Sequence, residues 1–177
     1  MEESMTQDLI TNDREKLIDQ LMDQYGNAIL HLAYSYVGNK EVAEDLTQDI
    51  FVKCYQRLDQ YQNKSSLKTW LWKIAINHCK DYLRSWHCKH IVVSDDQDKQ
   101  TLSIDNEVEQ QVIQKYEDEH LVKTVFSLPD TYKEVIYLFY FEERSIKEIS
   151  NLTNVNQNTI KTRLKRAKEI LKECLEV

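Results

Sequence analysis

The feature that most constrains this chain is what it lacks. Across 177 residues it has only two glycines, Gly26 and Gly38, and one proline, Pro129. Strands need tight turns, and tight turns need those residues. An all-α fold with long helices is therefore expected. The length suits one domain or two small ones. A hydrophobic content of 41% is enough for small cores. No apolar run reaches bilayer length, and residues 1–8 are polar and acidic, unlike a secretory leader. The expectation is a cytoplasmic protein that is not itself membrane-inserted. Cys54, Cys79, Cys88 and Cys174 are scattered without a C-x-x-C pair, as expected of reduced thiols.

The net charge of −7 speaks against nucleic acid, but its distribution speaks otherwise. Up to residue 63 there are twelve acids against five bases. From 64 to 84 the sign flips, with Lys64, Lys68, Lys73, Lys80 and Arg84 against Asp81. From 85 to 120 nine acids face three lysines. From 156 to 172 the chain is basic again, with Lys161, Arg163, Lys165, Arg166, Lys168 and Lys172 against Glu169. A charge run can be a plain solvated helix face. Two basic runs at matching ends of two modules ask for more.

Helical periodicity marks three N-terminal helices. Leu17, Leu21, Tyr25, Ile29 and Leu32 line the first. Ala43, Leu46, Ile50, Phe51, Cys54 and Leu58 line the second, and Leu67, Leu71, Ile74, Ala75, His78 and Tyr82 the third. In the connector 59–66, Asn63, Ser65 and Ser66 can turn the chain or cap the third helix. The stretch 94–101 (SDDQDKQT) reads as a flexible linker. Pro129 suits the first turn of a helix. The modules are placed at 12–86 and 121–177, with a linker at 87–120.

The second module carries a helix-turn-helix pattern. Ser145 with Glu148 forms a capping box for a helix over 146–152 that buries Ile146, Ile149 and Leu152. The turn 153–156 follows, with Asn154 in the left-handed position that glycine usually fills. A longer helix runs from 157 to about 175, apolar at Ile160, Leu164, Ala167, Ile170 and Leu171, and basic on the other face. A short helix, a tight turn and a basic helix are what major-groove recognition needs. Asn158, Thr159 and Thr162 add compact groups for phosphates or base edges. A helical hairpin with a solvated face would share the pattern.

Three C-terminal segments, LPDTYKEVI at 128–136, FEERSIKEI at 141–149 and TIKTRLKRA at 159–167, together resemble the promoter-binding domain of extracytoplasmic-function (ECF) sigma factors, in the sigma-70 family of RNA polymerase subunits. In the first module, AEDLTQDIF at 43–51 resembles that family's polymerase-docking helix. SSLKTWLWKIAIN at 65–77 resembles its −10-reading helix. Glu143 stands where the family often has glycine, and the helix-turn-helix turn lacks one. The resemblance implies a sigma-2-like three- or four-helix bundle and a sigma-4-like helix-turn-helix joined by a flexible acidic linker. It implies a factor that binds core RNA polymerase and directs promoter-specific initiation under an extracytoplasmic or stress signal. The implied partners are the β′ clamp and β flap of the polymerase, promoter DNA and an anti-sigma factor. The linker would thread near the polymerase active-site channels.

Site residues follow from spacing and from that resemblance. Asp45, Gln48 and Asp49 fall at i, i+3 and i+4, on one helix face opposite Leu46 and Ile50. An acidic and amide face suits a basic partner, which the family implies is the clamp coiled coil. Melting DNA means extruding a base and replacing its stacking. The loop with Tyr61, Asn63, Lys64 and Ser65 offers aromatic, amide and hydroxyl groups for that, and the resemblance implies that it captures a flipped base. Asn77 matches the family's base-contacting position, and Lys68, Lys73, Lys80 and Arg84 would track phosphates. Trp70 and Trp72 are both tempting stacking platforms; Trp70 reads as core and Trp72 stays open. By motif position Lys161, Thr162, Lys165 and Arg166 face the −35 element, joined by Asn158 and Thr159. Arg163 has either a phosphate or an internal acid as its partner.

His78, Cys79, His87, Cys88 and His90 lack firm metal-ligand spacing, so no metal or cofactor is expected. No catalytic constellation is present, and no enzyme activity is expected. The competing reading is a stand-alone helix-turn-helix regulator that binds a two-fold operator. What separates the two is an acidic docking helix followed by a basic one, which a simple repressor does not need.

Overall fold

A computed structural model of the chain describes residues 2–62, 64–91 and 119–175. The scarce glycine Gly38 sits where it must. It adopts φ 64° just after helix α1 (Glu2–Val37), and its N–H closes on the Tyr34 carbonyl at 2.8 Å. A side chain would be strained there, whereas glycine is not. Asn39 then caps α2 (Lys40–Arg57), its Oδ1 accepting from the Val42 N–H at 2.9 Å. Two residues thus reverse the chain, and α1 and α2 pack side by side.

A 3-10 turn (Leu58–Gln60) follows, tied back to α1 by an Arg14–Asp59 ion pair of 2.7 Å. Helix α3 (Leu67–Ile91) starts where the Ser66 Oγ accepts from the Thr69 N–H at 3.2 Å. It continues past residue 86, where the first module was expected to end. Its apolar residues close a core with Leu21, Ile29 and Leu32 of α1 and with Ala43, Leu46, Ile50, Phe51 and Cys54 of α2. Each large aliphatic side chain buried this way contributes roughly 1.5–3 kcal/mol. The expected Leu17 is only half-buried, and its neighbour Ile18 enters the core instead.

Among the described residues the second module has four α-helices: α4 (Glu119–Phe126), α5 (Asp130–Ile136), α6 (Ile146–Thr153) and α7 (Gln157–Leu175). Most of the expected linker, residues 92–118, lies outside the described residues. Pro129 takes the N-cap position of α5, one place before the first turn, and its carbonyl accepts from Tyr132 and Lys133. Between α5 and α6 the chain loosens into a π-helical turn (Tyr137–Phe141). Glu143 then holds φ 52°, which costs a non-glycine residue roughly 1–2 kcal/mol. The turn is closed by the Arg144 N–H on the Leu138 carbonyl at 2.9 Å.

The helix-turn-helix forms as its sequence requires. Ser145 and Glu148 complete a reciprocal capping box, a cap worth about 1 kcal/mol. The Ser145 hydroxyl and N–H both donate to the Glu148 carboxylate, which holds its pKa below the usual glutamate value. Asn154 is left-handed at φ 56°. Ile149, Leu152, Ile160, Leu164 and Ala167 are buried as α6 and α7 pack on each other and α7 packs on α5.

The two modules pack against each other, α5 on α1 and α6 on α3. Tyr34 meets Phe126 with ring centroids 5.5 Å apart. The Arg144 guanidinium lies 5.4 Å over the ring of Trp72, and Glu134 of α5 reaches both Tyr36 and Lys80.

Candidate nucleic-acid interface

On α2 the alternation of buried and exposed positions presents Asp45, Gln48 and Asp49 together to solvent, above the buried Leu46 and Ile50. Val52, three residues beyond Asp49, is 54% exposed on the same face. Sequence reasoning missed it, although its i+3 spacing was readable. Asp49 also faces inward: its Oδ2 lies 3.6 Å from His78 Nε2 on α3, while His78 Nδ1 contacts Lys53 Nζ at 2.6 Å. Burial first, and then the Lys53 charge, push the His78 pKa below its ordinary value; Asp49 and Asp81 pull it back. The imidazole is thus a largely neutral spacer that carries Lys53 toward the acidic face.

The loop before α3 is closed by the Tyr61 hydroxyl donating to the Ser65 carbonyl at 2.6 Å. The Tyr61 ring packs 5.4 Å from Trp70 at a tilt of 49°. Lys64 and Ser65 are exposed beside it; Asn63 lies outside the described residues. The structure decides Trp72, which was open, and moves Trp70 from the core toward its edge. Trp72 is fully buried in the core, with Tyr25 edge-on at 5.5 Å, so it is no stacking platform. Trp70, expected in the core, is half-buried at the loop. The reason is register: Trp72 is covered by Tyr25 of α1 and by Arg144 of the second module, whereas Trp70 packs against the edge of the core beside Tyr61.

The polar residues of α3 divide in the same way. Lys73, Asn77, Lys80 and Arg84 recur at i, i+4, i+7 and i+11 and form one stripe. Lys73 and Asn77 are exposed. Arg84 is exposed with Asp81 3.5 Å away. Lys80 is bound to Glu134 at 2.8 Å. Lys68 lies off the stripe, its ammonium 5.0 Å over Trp72 and 5.7 Å over Tyr25.

Helix α7 keeps its cations in the open. Asn156 caps it, accepting from the Asn158 N–H at 2.8 Å, and Asn158, Thr159, Lys161, Thr162 and Lys165 are exposed. The Thr162 hydroxyl turns back to the Asn158 carbonyl at 2.9 Å. Arg166 is exposed with Glu169 3.0 Å away on the next turn, and that carboxylate raises its pKa. Arg163 is half-buried at the edge of the basic face and makes no ion pair among the described residues, so an internal acid is not its partner there.

The histidine–cysteine group does not converge where it is described. Cys79 is buried, its thiol pushed up to about 12 by desolvation, while His78 is held between Lys53 and Asp49. The side chains of His87, Cys88 and His90 lie outside the described residues. No helix among the described residues is long and apolar enough to cross a membrane. Sequence reasoning also missed Tyr36, Glu134 and Arg144, which join the modules. Nothing in the sequence announces a contact between residues 98 positions apart.

Comparisons with known proteins meet this geometry at both ends. The sigma-70 region 2 family matches residues 21–87, and the sigma-70 region 4 family matches residues 121–171. The chain is 35% identical over 141 residues to the RNA polymerase sigma factor SigV of Bacillus subtilis, covering 80% of each. It is 33% identical over 155 residues to the ECF RNA polymerase sigma factor SigM of the same organism, covering 88% of this chain and 93% of that one. The fold is shared with the sigma factor RpoE of Bartonella quintana, solved in complex with the anti-sigma factor NepR. That match has a TM-score of 0.70 at 23% identity and covers 92% of this chain and 98% of the other. A stand-alone regulator would account for the second family match and not for the first. Both halves, in this order, make the chain a member of the ECF sigma factors of the sigma-70 family: non-enzymatic subunits that bind core RNA polymerase and direct promoter-specific transcription initiation.

Proposed function

We propose a division of labour among three faces of this sigma factor. Asp45, Gln48 and Asp49, extended by Val52, dock on the β′ clamp of the polymerase, and the second module rests on the β flap. The Tyr61–Ser65 loop, with Asn63 and Lys64, receives an extruded base of the −10 element, with Trp70 as the adjoining aromatic. Lys68, Lys73, Asn77, Lys80 and Arg84 follow the backbone of that DNA. Asn158, Thr159, Lys161, Thr162, Arg163, Lys165 and Arg166 grip the −35 element. The modules span 12–86 and 121–177, with the acidic linker 87–120 between them. The factor works in the cytoplasm, is held by an anti-sigma factor as its relative is by NepR, and is released by an extracytoplasmic or stress signal.

The observation that carries this reading is the segregation of charge by helix. An exposed acidic face on α2 and an exposed basic face on α7 serve different partners. Its test is co-purification with core polymerase alongside transcription from a cognate promoter. Reversing Asp45 and Asp49 to lysine should weaken core binding by about tenfold or more. Lys165→Ala with Arg166→Ala should leave core binding intact and depress promoter-specific transcripts. The opposite pattern sinks the assignment.

A further inference from the structure

An ammonium carries donors only, so a ring nitrogen that meets one has to accept. Lys53 Nζ of α2 lies 2.6 Å from Nδ1 of His78 on α3. Nδ1 therefore carries the lone pair, and in the neutral ring the proton sits on Nε2. That Nε2 is buried, has no hydrogen-bond partner among the described residues, and lies 3.6 Å from Asp49 Oδ2. The gap is too long for a hydrogen bond. The His78 side chain is 14% exposed and that of Asp49 65%, so the ring is fixed between the helices while the carboxylate stands at the surface. Lys53 follows Asp49 by one turn of α2. A buried ring thus spans a cation and a carboxylate beside Asp45 and Gln48, holding the first and stopping short of the second.

We propose that His78 is a positioning residue of the polymerase-docking face: as a neutral ring it engages Lys53 and leaves the Asp49 carboxylate to a basic partner, and as an imidazolium it releases Lys53 and takes that carboxylate for itself. The inference rests on the reading that Asp45, Gln48 and Asp49 dock on the polymerase.

The chemistry of the ring requires both halves of this exchange. A proton on Nδ1 removes the lone pair that accepts from Lys53 and sets two cations face to face. The same charge strengthens the Nε2–H as a donor toward Asp49, since an imidazolium binds a carboxylate more closely than a neutral ring does. The charged groups that act on the ring are Lys53 and Asp49 of α2 and Asp81 of α3, and burial acts with Lys53 to keep it neutral. The Asp49 carboxylate is therefore available at neutral pH. As pH falls below about 6.5 the face progressively loses Asp49 and gains an unheld Lys53. Both changes oppose a basic partner.

The test measures equilibrium binding of the full chain to core RNA polymerase from about pH 7.5 to about pH 5.5 at constant ionic strength. The wild-type chain should lose affinity by about fivefold or more across that range. His78→Asn puts an amide oxygen where Nδ1 accepts, and it cannot titrate. It should keep the affinity seen at the upper pH and lose the pH dependence that the ring supplies. Lys53→Met leaves the ring in place and removes a charge that opposes the imidazolium, so the loss of affinity should begin at higher pH. Nitrogen-15 shifts of the free chain, assigned by the signal missing in His78→Asn, should show His78 protonated on Nε2. A His78→Asn profile that matches the wild type overturns the proposal. So does a Lys53→Met profile with an unmoved midpoint, and so does an Nδ1–H tautomer. If His78→Asn loses its helical circular dichroism, Lys53→Met decides. Failure of the docking reading looks different: Asp49→Asn then binds core as tightly as the wild type at every pH. If Asp49→Asn binds more weakly at the upper pH, yet falls as steeply as the wild type, the docking reading stands and the positioning role falls.

Discussion

Helices α3 and α7 are both basic, and they hold their charge differently. On α7 Lys161 and Lys165 stand exposed. Its engaged cations are held within the second module, Arg166 beside Glu169 on the next turn and Lys168 over Tyr140, and the apolar stripe beneath does the folding. On α3 nearly every cation has a second engagement: Lys68 over Trp72, Lys80 on Glu134, Arg84 beside Asp81. The contrast follows from coverage. Helix α7 meets α4, α5 and α6 on one side, whereas α3 is packed from two directions. A helix that reads DNA from the surface can specialise. One that also forms the middle of the molecule must share its side chains between structure and recognition.

The largest effect should come from breaking α3 at its shared core. Trp72→Ala removes a side chain that is fully buried and touched from both modules. We expect a loss of about 3–5 kcal/mol in urea unfolding. Trp70→Ala, at the half-buried end, should cost clearly less stability and should instead slow promoter opening, measured on a fluorescent −10 base. Equal stability losses would mean that the two positions are not differently covered.

The second prediction compares the cations directly. Removing a cation that neutralises one phosphate should lower the salt slope of promoter binding by about one. Lys165→Ala on α7 and Lys73→Ala on α3, both exposed, should each show that change in the holoenzyme without altering the thermal stability of the free factor. Lys80→Ala should show it too, but should also destabilise the free factor, because Glu134 is left buried with Tyr36 alone. If all three behave alike, the distinction between the helices fails.

How much of this was legible beforehand tracks the same contrast. The helix-turn-helix could be read residue by residue, because each determinant is local: Ser145 with Glu148, Asn154 at the turn, and an apolar stripe at helical spacing. The acidic face of α2 was legible for the same reason. What failed on α3 was non-local. Periodicity marks one buried face, so a helix buried on two faces misleads it: Trp70, expected in the core, is half-buried, and Trp72, which was open, is fully buried. Leu17 yielded to Ile18 through a shift of a single residue, which a pattern with hydrophobic neighbours cannot resolve. Glu134 was invisible because α5 looks like an ordinary amphipathic helix until α1 and α3 are placed against it.

The smallest effect concerns the side of α3 that meets α2. His78 is pressed toward its neutral form by burial and by Lys53, with Asp49 and Asp81 as the opposing charges. An unfolded histidine takes up its proton near pH 6.5, and the folded one holds out to lower pH. The native state is therefore fully favoured above about pH 6.5, loses stability as pH falls below it, and stops losing once the folded imidazole also protonates. His78→Gln should flatten stability against pH in that window, read from thermal midpoints across a pH series. Asp49→Asn removes a charge that supports the imidazolium, so it should steepen the same curve and extend it to lower pH. Helix α7 offers the internal control: it holds no histidine, so Lys165→Ala should leave the slope as it is. A curve that ignores His78→Gln but responds to Lys165→Ala would place the titrating contact on the wrong helix.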